Sequence, residues 1–326
     1  MNDAIPPARA PLRARAPGKA ILFGEHAVVF GRTAVVLALE LGTEVAIDEG
    51  APGGESTYNG SAEAARSNPY LQEALRSHSA GHALALNVRS DIPKASGLGS
   101  SAAFTAALMA GLLSLQGGSS RARLAEESFR TERGAQGVGS PVDTSAAVAG
   151  GVLTVGHQGL PGATALWSLP AVDGGPPWSV GRVPDPGWTW VVGYTGVPKD
   201  TATVVRRVGE RVKRPDGERL LDEIAHVAVE GVEALRAKDR AAVGRAMKEN
   251  QRLLVDLGIS HPRLEELLAS IDRYALGAKI TGAGGGGSVV ALPREGEEVL
   301  VGRAISHAGG VPFLVRVAPS GAALEA

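Results

Sequence analysis

The sequence predicts an α+β protein built as two lobes, and three observations carry that prediction. The chain has 326 residues, more than one hydrophobic core usually serves. Segments of strand character and segments of helical periodicity are mixed without a regular βα alternation. A stretch dense in Gly and Pro, from Leu160 to Pro186, separates two such mixtures and sets the lobes at 1–185 and 186–326.

The first lobe opens with Leu12 to Ala16 as a strand, a Pro17-Gly18 turn, and a short strand from Ala20 to Phe23. Thr33 to Leu41 and Thr43 to Ile47, rich in Val and Leu, read as two more strands, and Gly50 to Gly60 reads as a loop. Asn68 to Leu86 has helical spacing at Leu71, Leu75, His78 and His82; Leu86 to Ile92 then alternates as a strand. Ser100 to Leu115, dense in Ala and Leu, is the strongest helix signal in the chain. Arg121 to Arg133 and Pro141 to Val148 are further helices, and Val152 to Val155 a strand. The second lobe begins with a strand at Thr189 to Tyr194. Helices follow over Thr201–Val212, Leu220–Ala237 and Arg240–Leu257, then strands over Ser288–Leu292 and Val311–Val317.

Composition narrows the function. Aromatic residues make up only 4%, so Ala, Val, Leu and Ile must build the core. The formal net charge is −1, which gives no global field for nucleic acid or an anionic membrane. There is no Cys, so disulfides, Cys-ligated zinc and thiol catalysis are excluded. The seven His residues show no HExxH or other metal spacing. Met1 to Arg15 lacks an apolar h-region, and no stretch is apolar enough to span a bilayer. A flexible leader and a cytoplasmic location are the expectation.

Three glycine-bearing segments carry the chemistry. The first, Ala16 to Gly31, gathers Lys19, Glu25 and His26 around tight turns; on these residues alone a solvated surface turn is the simpler account. The second, Ser90 to Ala103, runs from a strand through a loop with Gly97 and Gly99 into a helix. Free N–H groups at a helix N-terminus make an anion site, glycines let phosphate come close, and Ser100 and Ser101 add hydroxyls. It is neither a Walker A loop nor a dinucleotide fingerprint. In the third, Lys279 to Val290, five of the six residues from Gly282 to Gly287 are Gly. The apolar flanks Ile280 and Val289-Val290 favour a buried turn closing on a ligand over a linker. Two carboxylates, Glu132 and Asp143, complete the set.

In order and separation these segments resemble the three motifs of the GHMP kinase superfamily, over about Ala14 to Val317. Within it, PGKAILFGEHAVVFG is similar to the first motif of the mevalonate kinase family, and Tyr194 to Thr201 resembles that family's strand-end segment. The eleven-residue step from Glu132 to Asp143 matches its metal Glu and catalytic Asp.

The resemblance implies an N-terminal lobe like ribosomal protein S5 domain 2 and a ferredoxin-like C-terminal lobe. It implies ATP-dependent phosphorylation of the 5-hydroxyl of mevalonate, a step of isoprenoid biosynthesis, with ATP and Mg²⁺. Asp143 would face the reacting hydroxyl beside Lys19. Ser90 and the loop Ala95, Ser96, Gly97, Leu98, Gly99, Ser100 and Ser101 would hold ATP. Ser101 and Glu132 would ligand Mg²⁺. Glu25, His26, Thr201 and Gly284 would meet the substrate. Members are often dimeric, so a homodimer is the expected assembly.

The catalytic loop departs from the family: Pro141 replaces a Gly, Gln136 a His and Thr144 an Asn. The alternatives are a kinase of the same superfamily acting on phosphomevalonate, on the 3-hydroxyl of mevalonate or on a sugar, and a catalytically silent ligand sensor.

Overall fold

The computed structural model describes residues 11–78, 82–137, 139–171, 174–198 and 201–325. The leader expected before residue 11 lies outside them.

Strand β1 (Leu12–Phe23) is continuous and pairs antiparallel with β2 (Ala34–Pro52). The Pro17-Gly18 turn expected from the sequence is a register shift instead: Pro17 faces Gly42 while Gly18 faces Leu39. A bulge absorbs the missing proline N–H without ending the strand. The two strands expected over 33–47 are likewise one, and β2 runs on to Pro52 into the segment read as a loop. β3 (Thr57–Tyr58), α1 (Ala62–Ser67) and α2 (Pro69–His78) lead to β4 (His82–Ser90). The helix expected as far as Leu86 is thus corrected at its end. Its Ala-Leu run has helical propensity, yet it pairs with β2, where Ala83, Leu84 and Leu86 are buried.

Helix α3 (Ser100–Leu115) falls where its composition places it. After it come α4 (Arg121–Gln136), α5 (Val142–Ala149), β5 (Val152–Gly156), β6 (Thr164–Leu169) and β7 (Trp178–Val183). β6 and β7 lie in the Gly/Pro-rich stretch and have no counterpart in the sequence reading. Short strands between turns leave too little periodicity to detect.

The second lobe holds β8 (Trp190–Tyr194), α6 (Thr201–Val212), α7 (Gly217–Arg236), α8 (Arg240–Asp256) and α9 (Pro262–Ile271). It ends with β9 (Ala275–Thr281), β10 (Ser288–Pro293), α10 (Glu298–His307) and β11 (Val311–Val315). Its sheet has the order β11-β8-β10-β9. The chain then returns to the first sheet, where β12 (Ala323–Leu324) pairs with β1. That sheet has the order β12-β1-β2-β5-β7-β6, with β4 beside β2.

Strand alternation explains how the lobes meet. In β2, Ala34, Val36 and Ala38 belong to a core shared with α3, α4 and α5. The intervening Val35, Leu37 and Leu39 join the core of the second lobe, with Ile224, Val227 and Met247 from α7 and α8. Both faces of this strand are therefore buried, each in a different core. The close approach is visible at Gly231 of α7, where a Cβ would lie 2.2 Å from the Phe23 ring. Among the described residues no helix is long and apolar enough to cross a membrane.

Candidate active site

The glycine loop fixes the N-terminus of α3 against β1. Lys19 N–H donates to Leu98 O at 2.9 Å. Gly99 caps α3 at φ 78°, and a Cβ there would sit 2.8 Å from Lys19 Cγ, so only glycine fits. Ala95 and Gly97 also take positive φ, and Ser96 closes the loop on itself through Pro93 O at 2.7 Å. The first turn of α3 presents N–H groups that no helical carbonyl can meet, at the positive end of the helix dipole.

Beside this terminus lies a cleft of 220 Å³, lined by Lys19, His26, Ser101, Glu132, Gln136 and Asp143 together with Gly282 and Ala283. Lys19 Nζ lies 3.1 Å from Asp143 Oδ1. The lysine is 3% exposed and the aspartate 30%, so the pair is anchored inside and open toward the cleft. Opposite, Ser101 Oγ donates to Glu132 Oε1 at 2.8 Å. Asp143 stands in the first turn of α5, and Pro141 is that helix's N-cap, its carbonyl accepting from Ser145 N at 2.8 Å. A proline at a helix start loses no needed N–H, so Pro141 is compatible with the start of α5. A larger hollow of 750 Å³ between α6, α7 and α8 holds none of the motif residues; its walls carry charges already paired, such as Arg211 with Asp216.

The third glycine segment closes over the first two through hydroxyls at its ends. Thr281 Oγ1 donates to Ile21 O at 3.0 Å, and Ser288 Oγ to Ser96 O at 2.9 Å. His26, itself at φ 59°, donates from Nε2 to Ala283 O at 2.9 Å.

Glu25, Ser90 and Gly284 are not in the lining of this cleft. Glu25 is fully buried, and Lys279 of β9 holds its carboxylate away from the cleft. Burial pushes the Glu25 carboxyl up from its ordinary pKa, and the Lys279 charge opposes the shift. Burial likewise pushes the Lys279 ammonium down, against the pull of Glu25. Gly284 packs behind the turn, where a Cβ would meet Ile259 O at 2.3 Å. Ser90 ends β4 with its hydroxyl 2.9 Å from that of Thr43. Thr201 opens α6, but its side chain, like Lys199 and Asp200, lies outside the described residues. Lys279 opens the third segment in sequence, but its burial against Glu25 is shown only by the fold; a lysine inside the apolar run Ala-Leu-Gly-Ala-Lys-Ile is the signal for it.

Known proteins match this arrangement. The model described as "GHMP kinases N terminal domain" matches residues 63–151, and "GHMP kinases C terminal" matches 232–310. The fold and cleft therefore define a GHMP-type kinase. A mevalonate kinase of Pyrococcus horikoshii is 32% identical over 96% of this chain and 97% of its own. The Methanococcus jannaschii mevalonate kinase structure matches at TM-score 0.76 and 25% identity, over 96% of this chain and all of that one. The L. major mevalonate kinase in complex with R-mevalonate shares the fold at TM-score 0.77 and 24% identity, over 98% of this chain and 100% of its own. The chain belongs to the mevalonate kinase family of GHMP kinases.

Proposed function

We propose that the chain transfers the γ-phosphoryl group of ATP to the 5-hydroxyl of mevalonate, in the cytoplasm, as a step of isoprenoid synthesis. The observation that carries this reading is the Lys19–Asp143 pair, 3.1 Å apart and facing the Ser101–Glu132 contact across one cleft. In the reaction a bond forms from the acceptor oxygen to the γ-phosphorus, the bond to the β,γ-bridging oxygen breaks, and ADP leaves. Asp143 accepts the hydroxyl proton. Lys19 stabilises negative charge growing on the attacking oxygen. The N–H groups at the start of α3 meet charge developing on the leaving phosphate.

Mg²⁺ fits the donor set. Ser101 and Glu132 offer oxygens, which suit a hard cation. Among the described residues no group of three or more His, Cys, Asp or Glu could hold a metal by itself. A site completed by nucleotide phosphates is the usual arrangement for this ion. When bound, it would neutralise phosphate charge there.

The ATP loop Ala95–Ser101 and the lobe division at 185/186 belong to the same reading. His26, at the cleft wall, would meet the acceptor's polar groups, and a homodimer is its expected assembly. The test is coupled ADP release with ATP and Mg²⁺ against mevalonate, phosphomevalonate, galactose and homoserine, with NMR of the product. Mevalonate 5-phosphate supports the reading. Turnover of another alcohol, or phosphate on the 3-hydroxyl, would shift the reading to another kinase of the family. No turnover of any acceptor would favour the silent sensor.

A further inference from the structure

Glu132 does not rely on Ser101 alone. Gln136 lies one helical turn further along α4 and donates from Nε2 to Glu132 Oε1 at 3.1 Å. The same nitrogen donates to the Tyr70 hydroxyl at 3.1 Å. An amide nitrogen carries two hydrogens, and this one has two acceptors placed for them.

The arrangement is anchored at each end. Gln136 is the last residue of α4, and Gly137 ends that helix in a left-handed conformation, its N–H on Arg133 O at 2.7 Å. Tyr70 sits in the first turn of α2, where Asn68 Oδ1 accepts from the N–H groups of Tyr70 and Leu71, each at 3.1 Å. Its ring packs against the first-lobe core. Helices α2 and α4 approach closely here, since a Cβ on Gly134 would lie 2.6 Å from Glu73 Cδ. A glutamine at an exposed helix end ordinarily samples many rotamers, and ordering it has an entropic cost. Tyr70 limits that freedom.

We infer that Gln136, oriented by Tyr70, is a positioning residue that fixes the Glu132 carboxylate for a divalent cation. The inference rests on the reading of Glu132 as a metal ligand. The Ser101 hydroxyl and the Gln136 amide both donate to the same oxygen, Oε1. The second donor, from the next turn of the carboxylate's own helix, restricts its rotation further. Outer partners of this kind tune metal affinity through the ligand they hold. Gln136 also lines the cleft, so the rival role is direct contact with the acceptor alcohol. The two roles separate by which affinity changes.

The experiment is Mn²⁺ binding, followed by EPR of the free ion with ADP present, in the full-length wild type and in Gln136→Met, Gln136→His, Tyr70→Phe and Glu132→Gln. Kinetics at saturating metal accompany it. Gln136→Met keeps the length and removes the donor, and should weaken Mn²⁺ binding by about 10-fold. Its turnover should fall most at limiting metal, and the deficit should shrink as metal approaches saturation, which is the pattern of a weakened metal site rather than of a lost contact to the alcohol. Gln136→His restores a donor and should recover most of the affinity. Tyr70→Phe should weaken Mn²⁺ binding by about 3-fold. Wild-type Mn²⁺ affinity in Gln136→Met, or a raised KM for the alcohol with Mn²⁺ binding unchanged, overturns the inference. If Gln136→Met does not fold, Tyr70→Phe carries the test, and unchanged affinity there overturns it. Wild-type Mn²⁺ binding by Glu132→Gln would instead remove Glu132 from the metal shell, which is a failure of the underlying reading and is seen separately.

Discussion

Two lysines of this molecule each hold a carboxylate, and the pairs differ in their access to water. Lys279 and Glu25 are both fully buried, one on β9 and the other in the loop after β1, so their contact joins the lobes. Lys19 and Asp143 lie wholly in the first lobe, and Asp143 keeps 30% of its surface. Burial drives both members of the sealed pair toward neutrality, and their mutual charge and hydrogen bond oppose it. Such a pair cannot meet a reactant, but it makes separation of the two lobes costly. The half-open pair is accessible to an incoming alcohol, as the proposed mechanism requires. In the proposed mechanism the same residue types thus serve assembly in one place and chemistry in the other, and accessibility divides the roles.

The comparison breaks most sharply at Asp143. Asp143→Ala should lower kcat by about 10²–10⁴-fold if the residue accepts the proton. Its thermal midpoint should stay near wild type, because the carboxylate is partly exposed and Lys19 can be hydrated from the cleft. Near-normal turnover would end the assignment. Lys279→Met should do the opposite. Removing one partner of a buried pair costs about 3–5 kcal/mol of stability, read from urea unfolding. The protein that remains folded should keep its kcat. The double variant Glu25→Leu with Lys279→Met should recover much of the loss, since burial of both charges is then avoided. Equal loss in the single and double variants would mean that shape at this position matters more than charge.

How far the sequence reveals these sites follows from the same distinction. Lys19, Ser101, Glu132 and Asp143 are legible because their glycine loop, helix start and spacing are local patterns, and the structure gathers them at one cleft. Glu25 was legible as a residue but not as a buried one, because its partner is 254 positions away. Tyr70 gave no signal for the same reason: only the packing of α2 on α4 brings it to Gln136. Helix α3 was plain from composition. β6, β7 and β12 were not, because short strands owe their existence to neighbours in the sheet.

The lobe contact has a milder part that sharpens the first comparison. Thr281 donates to Ile21 O from a buried hydroxyl. Thr281→Val keeps the shape and leaves that carbonyl without its donor, at a cost of about 1–3 kcal/mol. Urea unfolding should show it, together with a rise in KM for the nucleotide as the glycine turn loosens over the phosphate loop. A stability loss with unchanged KM would confine Thr281 to holding the lobes.

The smallest effect comes from a third pair, half-buried but with its carboxylate more open than that of Asp143, that extends the series from sealed to open. Arg211 donates from both terminal nitrogens to the two oxygens of Asp216, each at 2.8 Å. The Arg211 hydrogen bonds hold the Asp216 carboxyl below its ordinary range, and the Arg211 charge adds to the effect. A carboxyl whose folded pKa is lowered stabilises the protein above its unfolded value, and that contribution fades as pH falls through the folded value. The stability difference between wild type and Asp216→Asn should therefore be present at pH 7 and shrink below about pH 4. Salt should reduce it at neutral pH, because water reaches this pair. A difference that persists unchanged into acid would mean Asp216 acts through its place at the start of α7 rather than through charge, and would limit the accessibility argument to the two lysine pairs.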